Sequence, residues 1–468
     1  MRIKLILKDA PVASWKCHKP HTKEHPMSII PHVSQAMHTV LTTTTEAAAA
    51  TLAYVKRPDR AKFTPSTLVQ TLVYGWLAHP TATVEQLAQM AGYLGVDVSP
   101  QAIDQRFTTA TADLLQQVLL ASVHQVIAAD PVALPILQRF TSVRVHDSTS
   151  IGLPDALTTT WRGCGNNTGG GAATLKCGVQ LDLLTGAITG LDLVNGRAAD
   201  RALPVQQTEP PAGSLRLADR GFYHLDRLSQ LHLEGVFWIT RLPSNALVAY
   251  PGHASQPLAT FMHELGPTTT WDCAIIVGGV RQLHARLVAS RVSQEVADQR
   301  RARLRHQAQH KDRTLSAAAL ALADWNVVIT NAPRTLVSLA EAWVLMRLRW
   351  QIELLFKVWK SHAHVDDWRT ENPARILCEV YAKLLGLIFQ QWLLAASSWR
   401  DPERSLFKAA PLVASMAGEL ARAHGDSARF VQVLERLATT IRRWARTQKR
   451  HNPPTTAQRL WALTKPGK

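Results

Sequence analysis

Two aspartates and one helix carry the residue types that could do chemistry. Asp147 closes the alternating segment TSVRVHDS (141–148) and is followed by the small hydroxyl residues Ser148, Thr149 and Ser150. Asp219 follows the apolar segment SLRLA (214–218) within ADRGFY. A carboxylate at the end of a strand projects from the sheet edge, where open α/β sheets place metal and substrate sites. An aspartate there also serves as a turn residue or helix cap, so neither is decisive alone. In VLMRLRWQIELLFKVWKSH, Arg349, Glu353 and Lys360 are spaced by four and then seven residues. On a helix turning ~100° per residue they fall within about 40° of one another. They form one polar stripe, opposite a packed face of Leu348, Ile352, Leu355, Phe356 and Trp359. By itself the Arg349–Glu353 pair would be a surface contact worth a few tenths of a kcal/mol.

The elements that must position these residues follow from periodicity. From about 28 to 130 the pattern is helical, with Thr83 before VEQLAQMAG and Ser99-Pro100 before QAIDQRF as helix starts. Two short helices joined across YLGVDVS fit either a helix-turn-helix or a plain bundle. After Pro135 the period changes to strands at 141–148, 175–184 and 187–194, the last two a hairpin turning at Thr185-Gly186. A helix-compatible AADRALPVQQ, a strand SLRLA, a helix HLDRLSQLHLEG and a strand VFWITRL follow, an order that predicts an α/β core with a mixed sheet. Residues 243–290 are β-like and rich in turns, a basic helix follows, and WNVVITN (325–331) returns to strand. The remainder, 336 to about 400 and 405–446, is helical.

The chain has 468 residues, 52 Lys and Arg against 35 Asp and Glu, and a formal charge of +17. Such an excess favours a polyanionic partner, because Lys and Arg neutralise phosphates and release condensed counterions. The charge concentrates at 291–313 and in IRRWARTQKR (441–450), where an exposed basic helix face is the plainer alternative. Five scattered cysteines (Cys17, Cys164, Cys177, Cys273, Cys378) contain no C-x-x-C, which supports neither a disulfide framework nor a structural zinc site and fits a reducing cytoplasm. The start lacks a signal-peptide core, and LLGLIFQQWLLAA (384–396) falls short of a membrane span, so no membrane association is expected.

With these motifs in order, the chain resembles the DDE transposases of bacterial insertion sequences, specifically the insertion-sequence-four family. That family's third acidic residue lies on a helix with the signature Y-x2-R-x3-E-x6-K, and the register here is Met346, Arg349, Glu353, Lys360. Three of the four positions match, and the family's Tyr is replaced by Met346. The family's first motif, Asp then Gly or Ser then Thr or Ser, matches Asp147-Ser148-Thr149. Its second, Asp-x-Gly-Phe/Tyr, matches Asp219-Arg220-Gly221-Phe222. The resemblance covers about 30–446.

It implies a ribonuclease-H-like mixed-sheet core interrupted by a mainly β insertion and flanked by helical N- and C-terminal regions. The expected division is a disordered extension at 1–27, a helical DNA-binding domain at 28–135, and the first part of the catalytic core at 136–242. A β-rich insertion with the basic helix at 243–324, the second part of the core at 325–400 and a helical region with a basic tail at 401–468 complete it. Asp147, Asp219 and Glu353 are the implied catalytic residues and ligands of Mg²⁺ or Mn²⁺, two ions per site, because carboxylate oxygens select hard divalent cations. Asp147 is expected to bridge both ions while Asp219 and Glu353 each complete one shell. Arg349 and Lys360 are the implied contacts to DNA phosphates. The implied partner is double-stranded DNA, as terminal inverted repeats and as target, engaged by a homodimer in the cytoplasm. The implied reaction is cut-and-paste transposition by cleavage and strand transfer; a catalytically silent DNA-binding derivative is the alternative, which Met346 favours.

Other residues compete less well. Asp155, Asp182, Asp192 and Asp226 lie near turns, on strand surfaces or in a helix. His362, His364, Asp366 and Asp367 match no common zinc spacing and read as a solvated loop, and NNTGGG (166–171) lacks the Lys-Ser/Thr of a phosphate loop. Trp271 and Trp325 could stack a flipped base, a mode of related transposases, or simply pack in core or rim.

Overall fold

The computed structural model describes residues 29–54, 62–164, 173–208, 210–265, 268–309, 314–448 and 454–464. The expected extension at 1–27 and the NNTGGG segment lie outside them. One ten-stranded sheet organises the middle of the chain: β1 (Val143–Leu153), β2 (Ala173–Asp182), β3 (Ile188–Asn195), β4 (Leu215–Ala218), β5 (Phe237–Thr240), β6 (Leu247–Ala249), β7 (Gln256–Pro257), β8 (Thr270–Val277), β9 (Leu283–Arg291) and β10 (Trp325–Thr330). Their spatial order is β3-β2-β1-β4-β5-β10-β9-β8-β6-β7. β1, β4 and β5 are parallel and the other pairs antiparallel. The first five strands form a ribonuclease-H-like mixed sheet. The insertion strands extend that same sheet through β10, which pairs with β5 on one edge and β9 on the other.

Local chemistry explains the elements. Thr83 caps the helix Val84–Tyr93 in a capping box with Gln86, and Ser99 caps Pro100–Asp104 with Pro at its first position. The segment AADRALPVQQ forms two short 3-10 turns, Asp200–Ala202 and Pro204–Gln207, instead of the expected helix. Pro204 holds Leu203 extended (ψ 134°) and donates no N–H, so an α-helix cannot run through it.

The β2–β3 turn requires Gly186, whose φ is +78° and whose missing Cβ leaves room for the indole of Trp399. Trp399 Nε1 donates to the Leu183 carbonyl at 3.1 Å, and Gln391 Nε2 to that of Gly186 at 2.7 Å. The helix Pro373–Ser398 and its C-cap thereby clamp the β2–β3 hairpin. This helix is long and apolar enough to cross a membrane by length and composition, beyond what 384–396 alone suggests, but its apolar window is entirely buried. One hydrophobic core runs from Ile30 to Leu460, joining the N-terminal helices, the first sheet strands and the C-terminal helices, while a second lies under the insertion.

Candidate active site

β1 presents Val143, Val145 and Asp147 on one face, the two valines fully buried and the aspartate at the end of their shelter. The strand does not stop at residue 148, as alternation alone suggests. It continues to Leu153 because β2 pairs with it throughout, setting Asp147 opposite Val179. On its other edge, parallel pairing with β4 covers only Val143–Val145, with Val145 opposite Leu217. Carried two residues further, that register sets Asp147 level with Asp219, the residue directly after β4. The two aspartates therefore stand side by side where the sheet opens.

The third carboxylate arrives from above. Ser338 and Glu341 form a capping box that starts the helix Leu339–Leu348, which packs on β4 and β5. A second helix, Trp350–Ser361, buries Ile352, Leu355, Phe356, Val358 and Trp359 and packs on β1. The single helix expected from periodicity is thus two, joined at Arg349 (φ −52°, ψ −30°), although Glu353 keeps its place one turn beyond.

Arg349 is the meeting point. Its Nη1 donates to Asp147 Oδ2 at 3.0 Å, its Nη2 donates to Glu353 Oε1, and the same nitrogen lies 3.7 Å from Asp219 Oδ2. Arg241 Nη1 approaches Asp219 Oδ1 to 3.7 Å, within ion-pair reach but beyond hydrogen bonding, so that oxygen is buried without a hydrogen-bond partner. Arg349 is 16% exposed and the three carboxylates 22% to 35%, a cleft partly open to water. Burial raises the Asp147 carboxyl above its ordinary pKa; the Ser148 N–H and Arg349 pull it back, and the charges of Glu353 and Asp200 raise it further.

Three converging carboxylates and an orphaned carboxylate oxygen form a hard, anionic donor set of the kind that holds a divalent cation. In this conformation, among the described residues, no three His, Cys, Asp or Glu side chains stand close enough to share one ion. The guanidinium of Arg349 is the common partner of all three, so a cation and Arg349 compete for the same oxygens.

Lys360 stands apart from this cluster. Its Nζ donates to the Ser150 carbonyl at 2.9 Å and lies 3.3 Å from Asp366 Oδ2, three residues along β1 from Asp147. Met346 is buried in the core. Of the competing acids, Asp182 holds the β2–β3 turn by accepting from the Val143 and Leu184 N–H groups, Asp192 accepts from the Val205 N–H, and Asp226 pairs with Arg281. Asp155 opens a 3-10 turn. His362 packs edge-on against Phe407, and His364 lies 3.7 Å from Asp367. Lys383 pins that loop through the carbonyls of His364 and Asp367. Trp325 is buried beneath Arg291, and Trp271 is half-buried on β8.

Sequence reading missed Asp200. Its Oδ1 accepts from Ser148 Oγ at 2.8 Å and lies 3.3 Å from Lys176 Nζ, which ties the Asp147 motif to the turn Asp200–Ala202. Nothing in its spacing separates it from a helix-start aspartate. Arg241, at the end of β5, was equally silent.

A family model described as the transposase DDE domain matches residues 138–389, more than half of the chain and the stretch that carries all three carboxylates. The chain belongs to the DDE transposase family. Among its relatives, the transposase for insertion sequence element IS231C of Bacillus thuringiensis subsp. berliner is 27% identical over 86% of this chain and 89% of its own length. That for IS231F of B. thuringiensis subsp. israelensis is 27% identical over 71% and 73%. The putative transposase InsL of IS186A from Escherichia coli K12 is 27% identical over 47% and 60%. Membership implies dependence on a divalent metal in general terms.

Proposed function

We propose that this protein is the transposase of an insertion sequence, cleaving double-stranded DNA at the element's terminal inverted repeats and joining the freed ends to target DNA. The observation that carries this reading is that Asp147, Asp219 and Glu353, from two adjacent strands and a helix, all gather around the Arg349 guanidinium in a cleft partly open to water. Asp147, Asp219 and Glu353 would hold two Mg²⁺ or Mn²⁺ ions, which when bound activate a water or 3′-hydroxyl and stabilise the leaving oxygen of a phosphodiester displacement.

The chain's own residues do the rest. Asp147, paired with Arg349 and raised in pKa chiefly by burial, would be one of the three residues that hold the ions. Arg349, once released by the carboxylates, offers a planar fork that clamps a phosphate beside the scissile bond. Lys360, on the same helix as Glu353, supplies a mobile ammonium further along the strand. Exposed Arg303 and Arg305 on the helix Gln294–Gln309, and Arg442 and Arg443 at the end of Ser427–Trp444, give the duplex a charged seat. A homodimer pairs two DNA ends in this scheme, acting in the cytoplasm on chromosomal DNA.

The test is a cleavage and strand-transfer assay on linear DNA carrying the inverted repeat that flanks the gene, with Mg²⁺, comparing wild type with Glu353→Gln. Metal-dependent nicking and joining, lost in the variant, is the expected result. Met346 favours a second reading, a catalytically silent DNA-binding derivative, because its side chain is buried and offers no hydrogen bond where the family has Tyr. Binding of the repeat without nicking would select that reading.

A further inference from the structure

The sheet face opposite the carboxylates carries an arrangement that the DDE chemistry does not use. Arg144 and His146 of β1, Gln180 of β2 and Arg216 of β4 alternate with the core residues and share that face, with Arg144 opposite Arg216 and His146 opposite Gln180. Arg216 is 3% exposed, and its Nη2 donates to Gln206 Oε1. The Gln206 amide in turn bonds His146 Nδ1 at 3.2 Å. Arg227, from the helix Leu225–Leu233, is 9% exposed; its Nη2 donates to the Thr208 carbonyl at 3.2 Å, and its Nη1 is 4.0 Å from Glu234. Its buried Nε has no hydrogen-bond partner.

These groups surround a cavity of about 450 Å³ whose lining includes Arg201, Gln206, Arg216, His224, Arg227 and Gln230. The acidic residue in the lining, Asp226, is already paired with Arg281. Among the described residues, no carboxylate forms an ion pair with Arg216. Two nearly buried arginines line the same cavity, and a buried charge is costly unless it is paired.

The cavity shares a wall with the catalytic centre. Its lining includes Ala202 and Phe222, from the adjacent turns Asp200–Ala202 and Arg220–Phe222. The first turn carries Asp200, bonded to Ser148 beside Asp147, and the second follows Asp219 directly. A forked, multiply donating, cationic cavity is complementary to phosphate, whose oxygens take paired N–H donors from guanidinium groups.

We infer that this cavity is a phosphate pocket that takes a backbone phosphate of the DNA strand lying beside the scissile bond. The phosphate chemistry stands on the cavity itself, and only its source in DNA rests on the proposed transposase function. A bound phosphate supplies the counter-charge that Arg216 lacks and an acceptor for the unpartnered Arg227 Nε, and holds the strand from the far side of the Asp219 turn.

The experiment uses the full-length protein as wild type, Arg216→Gln and Arg201→Ala; Arg201 is exposed, so its variant reports even if the buried substitution fails to fold. The first arm measures duplex DNA affinity against salt. Each phosphate contact contributes about 0.9 to the slope of log K against log salt, so a drop of about that size in a folded variant supports the pocket. The second arm measures the melting temperature in inorganic phosphate against chloride at matched ionic strength; a rise in wild type that the variants lose also supports a phosphate site. If that rise is lost while the slope is unchanged, the pocket takes a free anion and the DNA assignment is overturned. If neither quantity differs from wild type, the pocket itself is overturned. Should wild type show no salt-dependent DNA binding, the functional proposal fails instead, and the phosphate arm still decides the pocket.

Discussion

Replacing Arg349 with Met removes the one cation shared by Asp147, Asp219 and Glu353 while keeping an unbranched side chain at the helix joint. Two unit charges about 4 Å apart interact by about 4 kcal/mol at an effective dielectric of about 20. Breaking a fully buried pair costs about 3–5 kcal/mol, and an exposed pair is worth about 0.2–1 kcal/mol. Side chains 16% to 35% exposed lie between these limits. A loss of about 2 kcal/mol follows, or about 2–4 °C in melting temperature, extrapolating the fall in shift per kcal/mol with chain length. The variant should regain that stability in Mg²⁺, because a ligand at 100 times its Kd adds about 2.7 kcal/mol. Wild type should gain less, since there the cation must displace Arg349.

The pH dependence has a definite sign. Asp147 is raised in the folded state above its ordinary 3.8, so its contribution to stability is fully present below that value and is lost as pH rises through the folded value. Without Arg349 the folded value rises further, so the deficit of the variant should shrink in acid and grow towards neutrality. Differential scanning fluorimetry of both proteins from pH 4 to 8, with EDTA or with Mg²⁺, measures all of this. A deficit independent of pH and untouched by Mg²⁺ would refute the claim that Arg349 holds the place of a cation.

Asp147→Asn, Asp219→Asn and Glu353→Gln should each lower cleavage by roughly 10²–10³-fold, the equivalent of several kcal/mol of charge stabilisation, with DNA affinity unchanged in a gel-shift assay. Lys360→Ala should leave the melting temperature within about 1 °C, because its contact with Asp366 is partly exposed, while reducing strand transfer in the same assay. Trp359→Ala, in the fully buried face behind Glu353, should cost about 3–5 kcal/mol in chemical denaturation and abolish cleavage by releasing the helix. Cys177 and Cys378 are buried and their thiols pushed up by desolvation, so peptide mapping after native alkylation should find both unmodified while exposed Cys164 reacts.

Local rules were legible in the sequence. The strands that carry Asp147 and Asp219, the capped N-terminal helices and the basic helix follow from periodicity, capping and turn chemistry, which act over a few residues. The three acids were found by type and order. The helix expected at AADRALPVQQ was overruled by Pro204, a local signal that apolar spacing had masked. The break at Arg349 has no such signal; it lies where the helix on β4 and β5 gives way to the helix on β1.

The sequence by itself determined the family motifs, the composition of each element and the positive charge that suits a polyanion. Only the tertiary structure decided which of those residues meet. The parallel register of β1 and β4 sets Asp147 beside Asp219, and Trp359 and its neighbours seat Glu353 above them. Arg349 then binds all three, Asp200 joins through Ser148, and Arg216 and Arg227 are gathered on the far face. Such contacts join residues tens to hundreds of positions apart, and their geometry is set by register and packing, quantities that no local window of sequence contains.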